Sequence, residues 1–182
     1  DLHTASAQTL TIAAAVAVCR AVEKLCGIRL GIKWVNDLYY QGKKVCGILT
    51  EGCPDLETGH LDWLVVGIGL NLTADTADFP PELQDKAGSL YPGAPAPVSR
   101  AALAGAIARE LLAAGDGTGG LAEYRDRCFV PGHWVTVCTA AETYAARALS
   151  IDDAGRLVVQ RENGRQEALR WGEVSTRPAK VE

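Results

Sequence analysis

The 182-residue sequence contains no methionine. An open reading frame begins with one, so Asp1 is expected to be a truncation or processing point rather than a natural start. Long apolar runs are lacking as well, because the longest spans only residues 10–19 and ends at Arg20. This run is too short to cross a bilayer, so no membrane partner is predicted.

No C-x-x-C pair occurs among the six cysteines, which excludes the common zinc and dithiol motifs. Most of these cysteines lie in apolar stretches of a chain large enough to bury a core. They are predicted to be reduced core residues of a cytoplasmic protein. Only three histidines are present, widely scattered, and none is assigned a catalytic role.

A basic excess is also missing. The net charge is -4 and the pI is near 5.4, which argues against wholesale nucleic-acid binding but not against a local anion site. No P-loop is present. Gly67 and Gly69 lack the third glycine and the following helix of a dinucleotide-binding fingerprint, so a Rossmann fold is excluded.

The pattern of apolar and turn residues predicts an α+β chain. A Gly-containing turn at Gly42 predicts a hairpin, Ser99 is expected to cap a helix, and 63–70 is expected to be a buried strand. After Pro131 the sequence changes to short strand patterns separated by turn residues. This change places a domain boundary near Val130, giving domains 1–129 and 130–182. Helices are predicted at 7–25, 81–86, 99–114 and 121–127, and strands at 30–34, 38–40, 45–50, 63–70, 134–138, 143–150, 157–160, 167–169 and 173–175.

Several polar residues beside these strands suit phosphate or metal chemistry. Lys33 and Lys44 could offer ammonium groups to an anion, although an isolated lysine is more often a solvated surface group. Asp37 suits Mg²⁺, although an Asn-Asp pair after a strand is more often a turn. Asn71 could recognise an adenine edge. Each signal is weak alone, and their order along the chain carries more weight.

The run KWVNDLYYQGKKVCGILTEG, followed by VVGIGLNL, closely resembles the catalytic core of biotin–protein ligases. The alanine-rich helix before it resembles the family's central helix. The stretch from GHWVTV to LRWGEVSTR resembles the family's small C-terminal domain. The resemblance covers nearly the whole chain and implies a mixed β-sheet with helices, as in class II synthetases, followed by an SH3-like β-barrel.

The resemblance implies a two-step enzyme that uses ATP and Mg²⁺. Biotin, the substrate, would be activated to biotinyl-5′-AMP and then transferred to a lysine of a biotin carboxyl carrier domain. That carrier would belong to acetyl-CoA carboxylase or a related carboxylase. A homodimer is compatible with the resemblance, and a repressor role in transcription would require an N-terminal DNA-binding domain.

Individual roles follow from the matched motifs. Lys44 corresponds to the catalytic lysine, which contacts both the biotin carboxylate and the transferring phosphoryl group. Asp37 corresponds to the metal position. Biotin and phosphate binding is implied for Lys33, Asn36, Lys44 and Gly47, and nucleotide binding for Gly69, Leu70, Asn71, Glu173 and Arg177.

Two departures from the family pattern qualify these expectations. Val35 stands where the family often has proline, a change that the site should tolerate. The Gly/Arg-rich loop and the Ser/Thr-Asn segment that precede the central helix are missing, so this chain alone is expected to be weak or inactive, with one sheet edge and face exposed. The alternative is a non-catalytic module that binds a nucleotide or carrier protein and whose sheet is completed by a partner.

Overall fold

A computed structural model describes residues 4–54, 61–115, 120–139, 141–170 and 173–176 of the protein. The chain divides into two compact units, Asp1–Arg127 and Cys128–Glu182, close to the boundary predicted from the sequence. The first unit combines helices with a four-stranded sheet, and the second is built on a five-stranded sheet.

The first unit is organised around helix α1, Thr4–Cys26. Its sequence is rich in alanine and free of glycine and proline, which favours a helix. Nearly all of its side chains from Thr11 to Val22 are buried. Gly27 ends the helix with a φ of 67°, and its N–H donates to the carbonyl of Glu23. The predicted long, buried helix is confirmed.

A four-stranded sheet packs against this helix in the order β1-β2-β3-β4. Gln41 and Gly42 form the tight turn of the β2–β3 hairpin with φ values of 49° and 78°, which confirms the predicted hairpin. All pairings of these strands are antiparallel, where a mixed sheet was expected; the described parallel contact is an isolated bridge between Lys44 and Ala87. The strands are β1 Gly31–Lys33, β2 Asp37–Tyr40, β3 Lys43–Pro54 and β4 Leu61–Leu70.

The prediction that 63–70 is a buried strand is wrong. β4 alternates between more and less exposed positions, and Trp63 and Val65 are about half exposed. Leu49 on β3 is exposed on the same face. The opposite face of β4 packs against α1, and β4 is an edge strand among the described residues. Among the described residues, one face of this edge strand is therefore exposed, in line with the expected exposure of a sheet face.

In the first unit, the described residues beyond β4 include two 3₁₀ turns and two further helices. The expected helix at 81–86 is only the 3₁₀ turn Pro81–Leu83. Ser99 caps α2 as predicted, because its side-chain oxygen accepts from the Ala102 N–H at 3.1 Å. The remaining elements are the 3₁₀ turn Thr76–Asp78, α2 Arg100–Ala113 and α3 Leu121–Arg127.

The second unit has an antiparallel sheet in the order β8-β7-β6-β5-β9. Alternating residues of its strands are buried, among them Val135, Val137, Ala146 and Ala148. Closure of this sheet into an SH3-like barrel stays a prediction. The strands are β5 Trp134–Cys138, β6 Thr143–Ile151, β7 Leu157–Arg161, β8 Gln166–Leu169 and β9 Glu173–Thr176.

All six cysteines are free, as predicted, although only Cys19, Cys46 and Cys128 are buried and the other three are partly exposed. Within the described parts of the chain, no helix combines the length and apolar character needed to span a membrane.

Candidate functional site

Four of the predicted site residues form one row across the first sheet. Lys33 lies opposite Asp37, Asp37 opposite Gly47, and Gly47 opposite Gly69. Directly opposed residues of antiparallel strands project from the same face. The adjacent row, which projects from the other face towards the helices, is Ile32, Leu38, Cys46 and Leu70.

A β-bulge brings Lys44 to the same face as this row. Lys44 and Gly47 are three residues apart, so regular alternation would place them on opposite faces. The register between β2 and β3 skips Val45, and both Val45 and Cys46 are buried, each 1% exposed. The bulge thereby turns Lys44 onto the Gly47 face.

Lys44 is held by Asp37. The Lys44 Nζ lies 2.5 Å from Asp37 Oδ1, and both side chains retain some exposure to solvent. Gly47 leaves the space that the lysine occupies, because a Cβ at this position would lie 3.3 Å from Lys44 Cε and 3.4 Å from its Nζ. A cation and a carboxylate are therefore fixed side by side, beside glycines that allow a ligand to approach the main chain.

Asn36 is tied to β3 rather than pointing freely from the turn before β2. Its Nδ2 donates to the carbonyl of Ile48 at 2.7 Å, and the Ile48 N–H donates to the Asn36 carbonyl at 3.0 Å. The peptide bond between Trp34 and Val35, within the same turn, is cis. Asn36 thus supports the turn that carries Asp37.

The segment 86–90 supports Lys44 and Asn71, a feature that the sequence did not reveal. The Lys44 N–H donates to the Lys86 carbonyl at 2.8 Å, and the Gly88 N–H donates to the Lys44 carbonyl at 2.9 Å. Asn71 lies just beyond β4, and its Nδ2 donates to the Gly88 carbonyl at 3.0 Å. The Asn71 amide, which is expected to contact adenine, therefore uses one of its N–H groups to hold the segment 86–90.

Tyr124 is the second residue that sequence reasoning missed. Its hydroxyl donates to the main-chain carbonyl of Val35 at 2.9 Å, across 89 positions of sequence. A tyrosine within the short, mostly charged helix α3 carries no local signal of such a role. Only the packing of α3 on the first sheet reveals it.

Cys46 lies beside the site in the adjacent row, and its side chain is buried. Burial raises the pKa of Cys46 to about 12, so its thiol is protonated at neutral pH and is a poor nucleophile. No group of three or more potential metal ligands occurs among the described His, Cys, Asp and Glu side chains. The described site therefore offers a paired cation and carboxylate and close approach to the main chain.

The remaining predicted residues are placed differently. Leu70 projects from the opposite face, where it lines an apolar groove of about 400 Å³ beside α2. Its main chain is thus the part adjacent to the Gly69 row. Glu173 begins β9 in the second unit, and Arg177 lies outside the described residues. The roles of these two residues stay predictions.

Two family models match this chain. Residues 2–71 match the Biotin/lipoate A/B protein ligase family. This matched segment includes Lys44, Asn71 and the row of Lys33, Asp37, Gly47 and Gly69. Residues 132–177 match the Biotin protein ligase C terminal domain.

Individual relatives extend the match across most of the chain. The bifunctional ligase/repressor BirA of Bacillus subtilis is 34% identical over 179 residues, covering 90% of this chain and 52% of BirA. The biotin--[acetyl-CoA-carboxylase] ligase of Mycobacterium tuberculosis is 32% identical over 157 residues, covering 81% of this chain and 55% of the ligase. This chain thus spans about half the length of these two relatives.

Solved structures are similar in fold. The apo structure of biotin protein ligase from Aquifex aeolicus has a TM-score of 0.76 at 24% identity, covering 93% of this chain and 75% of that one. The same organism's ligase in complex with biotin and ATP has a TM-score of 0.71 at 24% identity, with coverages of 93% and 71%. At this identity the likeness concerns the fold, and the predicted combination of helices and sheet is confirmed.

Proposed function

This chain belongs to the biotin protein ligase family, and we propose that the protein activates biotin with ATP and transfers it to a lysine of a carrier protein. The observation that carries the proposal is the placement of Lys44, which a bulge brings to the same face as Lys33, Asp37, Gly47 and Gly69.

The first step needs charge stabilisation and no general base. A biotin carboxylate oxygen attacks the α-phosphorus of ATP, a new P–O bond forms, and pyrophosphate departs with the electrons of the old P–O bond. The nucleophile is already an anion. Negative charge accumulates on phosphate oxygens, and the ammonium of Lys44 is suited to stabilise it. Lys33, at the end of the same row, supplies a second cation to the biotin and phosphate side of the site.

Asp37 is the residue that fits a magnesium ion. Mg²⁺ is commonly bound by one or two carboxylates together with substrate phosphate oxygens, so a single carboxylate is sufficient when ATP supplies the rest. One oxygen of Asp37 faces Lys44, and the carboxylate has a second one to offer. Bound there, the ion would neutralise phosphate charge during the transfer.

The glycines and Asn71 suit the two ligands. Gly47, opposite Gly69, leaves the sheet surface flat enough for biotin to lie against the main chain. The nucleotide would extend along the end of β4 past Gly69 and the main chain of Leu70 to Asn71, whose amide carries further hydrogen-bonding groups for adenine.

The second step passes the biotinyl group to an amine. A lysine of the carrier attacks the carbonyl carbon of the mixed anhydride, a C–N bond forms, and AMP leaves. We propose the biotin carboxyl carrier domain of acetyl-CoA carboxylase or a related carboxylase as the acceptor. The second unit is proposed to close into the SH3-like barrel of the family, and a homodimer is compatible with the proposal.

The function is tested by biotin-dependent exchange of labelled pyrophosphate into ATP in the full-length protein. Lys44→Ala is expected to lower the exchange rate by about a hundredfold or more, the size seen when one stabilising donor is removed. Lys86→Ala is the matched control, since it removes a nearby exposed ammonium and keeps the main-chain contact to Lys44.

Each outcome has a distinct meaning. Normal exchange by Lys44→Ala would refute the role of that lysine and leave the ligase assignment standing. Absence of exchange in the wild-type protein, together with ATP or carrier binding, would favour the non-catalytic module instead.

A further inference from the structure

Tyr124 connects helix α3 to the turn that carries Asp37. Its side chain is fully buried, at 0% exposure, and its hydroxyl donates to the Val35 carbonyl at 2.9 Å. Neither matched family segment includes Tyr124, which lies between residues 71 and 132. The bond therefore reaches the candidate site from a part of the chain to which no role is yet assigned.

The turn between Lys33 and Asp37 is held from two sides. On one side, the two hydrogen bonds between Asn36 and Ile48 attach it to β3. On the other side, Tyr124 supplies the donor for Val35. Loss of this hydroxyl would remove the Val35 contact that holds the turn to α3, and would favour a shift of the turn.

Ion pairs hold helix α3, and with it the Tyr124 side chain, in place. Arg20 of α1 donates to Glu123 at 2.7 Å, and Arg29 donates to Asp126 at 2.6 Å. Arg127 of α3 pairs in turn with Glu23 of α1. The contacts of Glu123 and Arg127 attach α3 to the buried central helix on both sides of Tyr124, so the hydroxyl is located relative to the core of the unit.

We infer that Tyr124 is a positioning residue of the ligase site, which fixes the Val35–Asp37 turn and, through Asp37, the ammonium of Lys44. The inference rests on the proposed function for its catalytic consequence. Its structural part depends only on the chain of contacts from Tyr124 to Val35 and from Asp37 to Lys44. Tyr124 touches neither ligand in this scheme and acts entirely through the turn.

Tyr124→Phe tests the inference in the full-length protein, because it keeps the ring and removes one oxygen atom. The turnover number of biotin-dependent pyrophosphate exchange is expected to fall about tenfold, the lower end of the range for losing a supporting hydrogen bond. The KM for biotin is expected to stay within about twofold, because no biotin contact is removed. Amide hydrogen exchange at Ile48, whose N–H donates to Asn36, is expected to accelerate, while that of α1 stays unchanged.

Arg29→Gln is the matched control, since it breaks an exposed ion pair between the segment that follows α1 and Asp126 of α3, and leaves Tyr124 in place. Normal turnover and normal Ile48 exchange in this control would attribute the effect to the Val35 bond. An equal loss in both variants would overturn the inference, because it would indicate a general loosening of α3.

Wild-type turnover together with wild-type Ile48 exchange in Tyr124→Phe would also overturn it. Should the wild-type protein show no pyrophosphate exchange, the proposed function fails. Hydrogen exchange at Ile48 would then still decide whether Tyr124 fixes the turn.

Discussion

Gly47→Ala is expected to lower the rate of adenylate formation without lowering the free energy of unfolding. A Cβ at Gly47 would lie 3.3 Å from Lys44 Cε, 3.4 Å from Lys44 Nζ and 3.9 Å from Asp37 Oδ1. Carbon atoms in ordinary contact lie about 3.5–4.0 Å apart, so the lysine would retreat by a few tenths of an ångström. The atoms that move are the far end of a flexible side chain that is 42% exposed.

The two effects differ in sign. Glycine within a strand costs about 0.5–1 kcal/mol relative to alanine, so the free energy of unfolding is expected to stay the same or to rise by that amount. Misplacing a reacting group by about 1 Å can cost a hundredfold in rate. A shift of a few tenths of an ångström at Lys44 should therefore lower adenylate formation by about tenfold, equivalent to about 1.4 kcal/mol.

The measurements are thermal denaturation and biotin-dependent pyrophosphate exchange of the full-length protein. Gly67→Ala is the control, because its Cβ would meet only ordinary contacts, the nearest being the Leu49 carbonyl at 3.7 Å. A wild-type exchange rate in Gly47→Ala would refute the reasoning. A loss confined to the KM for biotin would show that the added methyl group obstructs biotin, which is proposed to lie against Gly47, without displacing Lys44.

Further expectations concern the nucleotide side and the α1–α3 ion pairs. Asn71→Ala should raise the KM for ATP about tenfold and change that for biotin by less than about twofold; an unchanged ATP dependence would refute the adenine contact and leave Asn71 only its bond to Gly88. Arg127→Met should lower the free energy of unfolding in urea by about 2 kcal/mol, because it removes the buried cation that pairs with Glu23 and Glu123. The loss is moderate because both carboxylates remain partly exposed to solvent. Hydrogen bonding to Arg127 lowers the pKa of Glu23 below its ordinary value of 4.5, so this carboxylate stabilises the fold above that pH and loses its effect as the pH falls through the lowered pKa. Wild-type stability should therefore fall more steeply below about pH 4.5 than that of Arg127→Met, and parallel pH profiles would contradict this assignment.

Local sequence signals predicted most of the helices and strands. The alanine-rich run before Gly27, the turn at Gly42 and the cap at Ser99 are local features, and the structure contains the corresponding elements. Helix α3 and strand β5 begin and end where they were predicted. These elements depend on the backbone preferences of nearby residues, which the sequence expresses directly.

Burial was less predictable than secondary structure. The run WLVVGIGL is typical of a strand covered on both faces, but Trp63 and Val65 of β4 are about half exposed. The short helix expected at 81–86 forms only a 3₁₀ turn. Composition shows which residues are apolar, whereas burial depends on what other segments pack against them.

The candidate site was likewise only partly predictable from the sequence. The residue types and their order, including Lys33, Asp37, Lys44, Gly47 and Gly69, were readable from the chain, and strand register then placed four of them in one row. The strand period of two would have put Lys44 on the wrong face, and only the bulge at Val45 corrects this.

The sequence by itself thus determined the family, the local elements and the identity of the charged groups. Tertiary structure alone decided that Asp37 holds Lys44, that segment 86–90 supports Lys44 and Asn71, and that Tyr124 bonds to Val35. The reason is physical. A helix or a turn is specified by neighbours along the chain, but a side chain's partner depends on strand register and packing between distant segments, which no short window of sequence contains.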